Sequence, residues 1–368
     1  HITEKDVTFM QYNFDQIIDR SGNHAAKYDE RKQKFGREDV IPLWIADMDF
    51  RTAQPIIDAL TARAQEGLWG YTARPASYFE AIRGWQKRRN GWEIAPHLMS
   101  FSLGVVQSIS AVVKLFTPES GTVLIQTPVY SEFYDMAEAW GRTVLESPFV
   151  EREGLWTVDW EDFEEKLRQT DLFLLCNPHN PLGLVWTPEE LGRMAELCMR
   201  HHVVLFSDEI HSDIVFAGHK HVPFLSVSEK AQEIGLLAMA PSKTFNIAGL
   251  KSSVLVIKNP EMRQKVKDLI TSFHIGLDLF AYKATEVVYS EGEQWLDELN
   301  AYLLENAKFV DAYIKENLPK VKTFVPEGTY LMWLDFSAYG FTQEELMEKM
   351  KTEAGLVLNS GITYGEEG

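Results

Sequence analysis

Five short runs of continuous apolar residues, set between amphipathic stretches, constrain this chain more than any other feature. They fall at residues 122–127, 172–176, 203–207, 236–239 and 253–257. Val, Ile, Leu and Phe dominate them with little alternation, the pattern of strands buried on both faces. Interleaved with helices, such strands predict an α/β fold, a mostly parallel sheet with helices on both faces. One intervening helix is well marked. Thr187-Pro188-Glu189-Glu190 offers a Thr N-cap, Pro at the first helical position and Glu at the third. Leu191, Met194, Ala195 and Cys198 then recur at helical spacing. A second helix is expected from Gly104, carrying Val105, Ile109, Val112, Val113 and Phe116.

Beyond Tyr282 the pattern changes. Residues up to about 318 read as mostly helical, with a break at Glu291-Gly292. A strand is expected over 330–336 after the Pro326-Glu327-Gly328 turn, and Thr342 caps a helix through Met350. These elements predict a smaller α+β domain. The expected division is 46–282 for the large domain, and 1–45 with 283–368 for the small one.

Charge narrows the partners. The 36 Lys+Arg against 54 Asp+Glu give a net charge of −18, which disfavours nucleic acid and anionic membranes. The densest basic cluster, Gln86-Lys87-Arg88-Arg89, reads as a solvated helix end. No run approaches the ~20 apolar residues of a membrane span, and no signal peptide opens the chain. Cys176 and Cys198 are too few for a disulfide framework, so a reducing, cytoplasmic setting is expected. The start at His1 rather than Met reads as a trimmed or tagged terminus.

Ligands of open parallel sheets bind at the carboxyl ends of the strands. There the runs are followed by Thr127-Pro128-Val129-Tyr130, by Asn177-Pro178-His179-Asn180-Pro181-Leu182-Gly183, by Asp208-Glu209-Ile210-His211, and by Ala240-Pro241-Ser242-Lys243-Thr244. An aromatic, an amide, a carboxylate and an amine are thus expected on one edge. This set suits pyridoxal phosphate, which needs a lysine for its Schiff base and an acid for its ring nitrogen. The helix start at Gly104-Val105-Val106 offers free N–H groups for its phosphate. Other groups have plainer readings. His211, His219 and His221 with Asp213 have the chemistry of metal ligands, but Phe216-Ala217-Gly218 between them reads as an exposed turn, and no metal is expected. Asp47 and Asp49 read as loop-positioning residues. Trp85 and Trp92 read as core or interface anchors, and Trp69 as lining the site mouth.

Ser242-Lys243-Thr244-Phe245-Asn246-Ile247-Ala248-Gly249-Leu250 resembles the lysine motif of the aspartate-aminotransferase-like pyridoxal phosphate enzymes, and the 177–183 segment resembles their amide motif. More narrowly, Trp44-Ile45-Ala46-Asp47-Met48-Asp49-Phe50, Trp69-Gly70-Tyr71 and Asp208-Glu209-Ile210-His211-Ser212-Asp213 resemble the cystathionine β-lyase (carbon–sulfur lyase) branch, which includes the bacterial maltose-regulon modulator.

The resemblance implies that Lys243 holds the cofactor and shuttles protons, Asp208 pairs with the ring nitrogen, and Asn180 bonds the phenolic oxygen. It implies that Tyr130 stacks on the ring and that Gly104, Val105, Val106 and Ser242 receive the phosphate. Lys251 stands where many relatives have a phosphate-binding arginine. His211 stands where aminotransferases usually have tyrosine, which favours the lyase branch. Tyr71 is expected to reach into the neighbouring site of a homodimer. The implied reaction is β-elimination from a sulfur-containing amino acid to pyruvate, ammonia and a thiol. The alternatives are an aminotransferase of the same fold and a regulatory protein that sequesters a transcription factor. Relatives hold the substrate carboxylate with an arginine shortly after a segment resembling 359–368. No arginine follows Arg263, so the natural chain is expected to continue past Gly368, the alternative being a degenerate lyase with weak substrate binding.

Overall fold

The computed structural model describes residues 11–152 and 155–366. The apolar runs become five strands of a seven-stranded sheet. Its strands are β1 (Met99–Ser102), β2 (Thr122–Ile125), β3 (Thr143–Glu146), β4 (Leu172–Cys176), β5 (Val204–Asp208), β6 (Gly235–Met239) and β7 (Ser253–Ile257). In space they run β1-β7-β6-β5-β4-β2-β3. The ladders from β3 to β6 are parallel, and β7 lies antiparallel to both β6 and β1. The two strands that the apolar runs do not reveal, β1 and β3, are the edges of this sheet. Their sequences, Met-Ser-Phe-Ser and Thr-Val-Leu-Glu, mix polar with apolar residues.

Alternate residues of each inner strand feed opposite faces, as the two-residue period of a strand requires. Leu172 and Leu174 of β4 join Val105, Ile109 and Phe133 in one core. Phe173 and Leu175 join Trp85, Phe163, Leu191 and Met194 in the other. The helix Pro188–Arg200 closes that second face. Its N-terminus carries the expected capping box, with the Glu190 N–H donating to Thr187 and the Thr187 N–H donating to Glu190.

The helices Leu279–Glu291 and Glu293–Asn317 break at Gly292, where a Cβ would meet a Phe245 ring carbon at 2.5 Å. Bare backbone there lets Phe245 seat against Trp85 and Trp295, at ring separations of 5.8 and 5.7 Å. The first of these helices runs unbroken across residue 282, with Ala284, Val287 and Val288 in the core of the sheet. Near the two ends of the chain, Ile41–Pro42 pairs in parallel with Leu356–Val357. Thr342 caps the helix Gln343–Thr352 with a second capping box.

The strand expected over 330–336 does not form. Only Asp335 pairs, through one isolated bridge to Lys322, and a ladder needs consecutive partners. Leu331, Trp333 and Phe336 of this extended segment line a cavity of about 680 Å³ instead. Phe216 is likewise no exposed turn residue. It is 3% exposed, because the chain around Val215 bridges to Gly328 and the Phe216 N–H donates to the Glu327 carbonyl.

Removing the Thr187 cap by Thr187→Ala should lower stability by about 1 kcal/mol. A urea-unfolding midpoint that stays in place would show that this cap is redundant.

Candidate active site

The parallel register creates the site. Cys176 lies opposite Asp208, and Asp208 opposite Ala238, so β4, β5 and β6 end in one row. The segments that leave this row carry Asn177 to Asn180, Glu209 to His211, and Lys243. The Tyr130 N–H donates to the Asn180 carbonyl at 3.1 Å, which ties the segment after β2 to the same edge.

Lys243 sits on the short helix Pro241–Thr244, anchored by the buried Phe245 that follows it. Its Nζ donates to the Ala46 carbonyl at 2.6 Å. That carbonyl belongs to a loop fastened from two sides. Asn246, at φ +55°, accepts from the Met48 N–H at 3.0 Å and donates to the Met48 and Phe50 carbonyls at 2.8 and 2.9 Å. Arg20 and the buried Lys27 pair with Asp47 and Asp49, at 3.1 Å for Arg20–Asp47 and 2.9 Å for Lys27–Asp49. The two aspartates therefore hold the loop, as their sequence setting suggests.

Burial sets the electrostatics. Asp208 is 3% exposed and accepts the Ile210 N–H at 3.0 Å. Desolvation pushes its acid up to about 7; the Glu209 charge adds to the rise, while the Ile210 N–H and Lys243 oppose it. A positive partner at this carboxylate would relieve that cost. Burial lowers the Lys243 amine from its ordinary value, against the pull of Asp47 and Asp208. His211 is buried and falls to about 3, through desolvation first and then the nearby Lys243 charge, so its imidazole is neutral. Burial also raises the Tyr130 phenol well above its ordinary value, and Glu132 and Asp208 reinforce the rise.

The buried polar atoms that lack a partner within the described residues include the side-chain oxygen of Asn180 and Nδ1 of His211, together with the side-chain oxygen of Asn177 and Nδ1 of His179 in the same segment as Asn180. Buried groups of this kind ordinarily find one. Nearby, the helix Val105–Phe116 starts with no side-chain cap. Ser102 and Ser108 donate to the Gly104 carbonyl at 3.1 Å each; with no side-chain cap, the N–H groups of Val105 and Val106 are among the orphan donors of the first turn. Ser253, at the start of β7, pairs with Ser102. Because β7 runs antiparallel, the exposed Lys251 just before it lies at the same edge as Gly104. Ser242 is half-buried beside Lys243.

The remaining expected residues lie elsewhere. Tyr71 is fully exposed in a loop with Leu68 and Trp69, which are 74% and 65% exposed. Trp69 packs edge-on against Phe280 at 6.4 Å. The histidines of the 211–221 segment disperse. His221 is buried and bonds Glu209 at 2.8 Å, rather than lying in a solvated loop. Ser207 and the Phe224 N–H also donate to Glu209. Asp213 accepts from Trp85 at 2.8 Å and Thr244 at 3.1 Å. Among the described residues no group of three or more His, Cys, Asp or Glu is placed to hold a metal ion. The 680 Å³ cavity borders this region through Thr127, Pro128, Pro181 and Tyr364, but Lys243 and Asp208 do not line it. Converging polar groups, rather than cavity size, locate the site.

Sequence reasoning missed Tyr330. Its hydroxyl donates to the same Ala46 carbonyl at 2.8 Å, and its ring packs edge-on against His211 at 5.6 Å. Its setting in a supposed strand carried no signal of this.

Residues 38–367 match the family model described as aminotransferase class I and II. The chain belongs to that family. It is 43% identical to the cystathionine beta-lyase PatB of Bacillus subtilis (strain 168), over 97% of this chain and 93% of the relative. It is 31% identical to the protein MalY of Escherichia coli (strain K12), over 97% of this chain and 92% of that one. Among solved structures it superposes on cystalysin from Treponema denticola, which contains a pyridoxal 5'-phosphate cofactor. The TM-score is 0.94 at 32% identity, covering 98% of this chain and 92% of that one. The expected membership in the cystathionine β-lyase branch therefore stands.

The raised Asp208 acid has a measurable consequence. Between the ordinary carboxylate value of 3.8 and about 7, the folded protein keeps a proton that the unfolded chain releases. The group's contribution to stability therefore falls as pH rises through that window. Asp208→Asn removes this loss. In the absence of cofactor, the variant's unfolding free energy relative to wild type should rise on going from about pH 4 to about pH 8, by an amount on the order of a few kcal/mol. A difference that is flat with pH would mean that Asp208 is solvated.

Proposed function

We propose that this protein is a pyridoxal-phosphate-dependent carbon–sulfur lyase. It releases a thiol from Cβ of a sulfur-containing amino acid, cystathionine or a cysteine-like substrate, with water, and leaves pyruvate and ammonia. The observation that carries the reading is the meeting of the Lys243 amine and the buried Asp208 carboxyl at one sheet edge, beside the unpartnered Asn180 oxygen. The fit to the cofactor is chemical. Asp208 would hold a protonated ring nitrogen, Asn180 the phenolic oxygen, and Tyr130 a ring face. The uncapped helix start at Gly104, Val105 and Val106, with Ser242 and Lys251, would hold the phosphate. The neutral His211 adds a polar wall without an opposing charge.

Bound there, pyridoxal phosphate supplies an electron sink for the pair left at Cα. The chain supplies the proton traffic. Lys243 takes the Cα proton; burial lowers the basicity of its amine from the ordinary lysine value, which favours the free base that can accept it. Positioned transfers of this kind contribute about 10²–10⁴-fold. Lys243 also carries the proton to the departing sulfur, while the raised pKa of Tyr130 keeps its hydroxyl protonated as a second donor. The 43% identity to a cystathionine beta-lyase favours elimination over amino-group transfer.

The same reading includes a homodimer with shared sites, in the cytoplasm, acting on small amino acids. Full exposure of Tyr71, together with exposed Leu68 and Trp69, supports insertion of this loop into a second copy. Two buried free thiols suit a reducing compartment. Among the described residues no helix is long and apolar enough to cross a membrane. The division into 46–282, and 1–45 with 283–368, is supported by the ladder between Ile41–Pro42 and Leu356–Val357.

Lys243→Ala should abolish the visible Schiff-base absorbance and lower activity by at least 10²-fold. Pyruvate should form from cystathionine without any added keto acid. A strict keto-acid requirement would make the protein an aminotransferase. Mixing Lys243→Ala with Tyr71→Ala protein should restore part of the activity, because the hybrid dimer has one intact site. No recovery after demonstrated subunit exchange would refute the shared site.

A further inference from the structure

The Ala46 carbonyl accepts two donors at once: the Lys243 ammonium at 2.6 Å and the Tyr330 hydroxyl at 2.8 Å. The loop that carries it is held independently of both, by Asn246 on Met48 and Phe50 and by Arg20 and Lys27 on Asp47 and Asp49. Tyr330 is fixed in turn by its edge-on contact with His211. A carbonyl oxygen has two lone pairs, and two donors on it draw on the same electron density. Each therefore holds less tightly than it would alone.

We propose that Tyr330 is a positioning residue that acts on Lys243 through the Ala46 carbonyl, sharing this acceptor so that the lysine amine is held less firmly than an unshared carbonyl would hold it. The inference rests on the reading of Lys243 as the reactive amine. An amine that carries protons between substrate atoms must leave its resting acceptor repeatedly. A carbonyl serving the ammonium alone would stabilise the charged form and keep the amine in place. The charged and titratable groups facing Lys243 are Asp208 at the end of β5, His211 in the turn beyond it, Asp47 in the fastened loop, and Tyr330 from the 329–336 segment. The two carboxylates favour the ammonium, so a weakened acceptor works in the opposite direction.

The test is the pH dependence of Lys243 reactivity in the full chain without cofactor. Acetic anhydride labelling read by peptide mass spectrometry reports the free amine. Tyr330→Phe leaves the ring on His211 and removes only the hydroxyl. It should move the labelling profile to higher pH and slow labelling about three- to tenfold at a fixed pH near neutrality, the loss that accompanies a rise in amine basicity. A profile that is unchanged, or displaced to lower pH, overturns the proposal. If Tyr330→Phe does not melt cooperatively, Tyr330→Met lacks the same hydroxyl and carries the same expectation. Lys243→Ala separates the two readings. If that variant still gives the visible Schiff-base absorbance when pyridoxal phosphate is added, the assignment of Lys243 as the reactive amine fails; if the absorbance is lost while Tyr330→Phe leaves the labelling profile unmoved, only the role of Tyr330 fails.

Discussion

The in-register parallel ladder through β4, β5 and β6 is the constraint on which the rest depends. It sets Cys176, Asp208 and Ala238 side by side, at or one residue from the ends of three strands. Asn180, Asp208 and Lys243 lie at or after the ends of that row, and Tyr130 follows the adjacent β2. A slip of one residue in β5 would exchange Asp208 with Ser207 and reverse the faces of Leu205 and Phe206, which pack into opposite cores. The same register that fills both cores therefore presents the carboxyl at the edge. Packing and chemistry share one structural decision, so the site sits on rigid strand ends rather than on freestanding loops.

Desolvation then gives those residues their properties. Asp208 and Lys243 are ordinary side chains whose charged forms are costly where they sit, and neither cost is fully met by the other. By contrast, Glu209, the next residue after Asp208, is buried just as deeply but is met by Ser207, Asn177, His221 and the Phe224 N–H. Two adjacent buried carboxyls thus take different roles. One is saturated with donors and ties the structure together, and the other accepts the Ile210 N–H.

Much of this was legible in the sequence. Strands β2, β4, β5, β6 and β7 stand out because strands covered on both faces must be continuously apolar. The helix at Pro188 stands out because capping is a local event of four residues. The edge strands β1 and β3 did not stand out, because their compositions are mixed. The 330–336 segment looked like a strand because its apolar content is genuine, but those side chains line a cavity instead of forming a ladder. His221 and Phe216 looked exposed because short polar and glycine-containing turns usually are. Their burial comes from Glu209 in one case and from the 326–329 turn in the other.

By itself the sequence determined the five inner strands of the sheet, the capped helices, and the motifs that bring an aromatic, an amide, a carboxyl and an amine to successive strand ends. Each of these follows from periodicity or spacing within a few residues. Only the tertiary structure decided what surrounds those groups. Lys243 meets Ala46 across 197 residues, and Tyr330 reaches the same carbonyl across 284. Such contacts are set by how distant segments pack, and packing also sets how much water reaches a charge. The identity of the reactive groups is therefore written locally, while their acidity, their partners and the acceptor that Lys243 shares with Tyr330 exist only once the chain is folded.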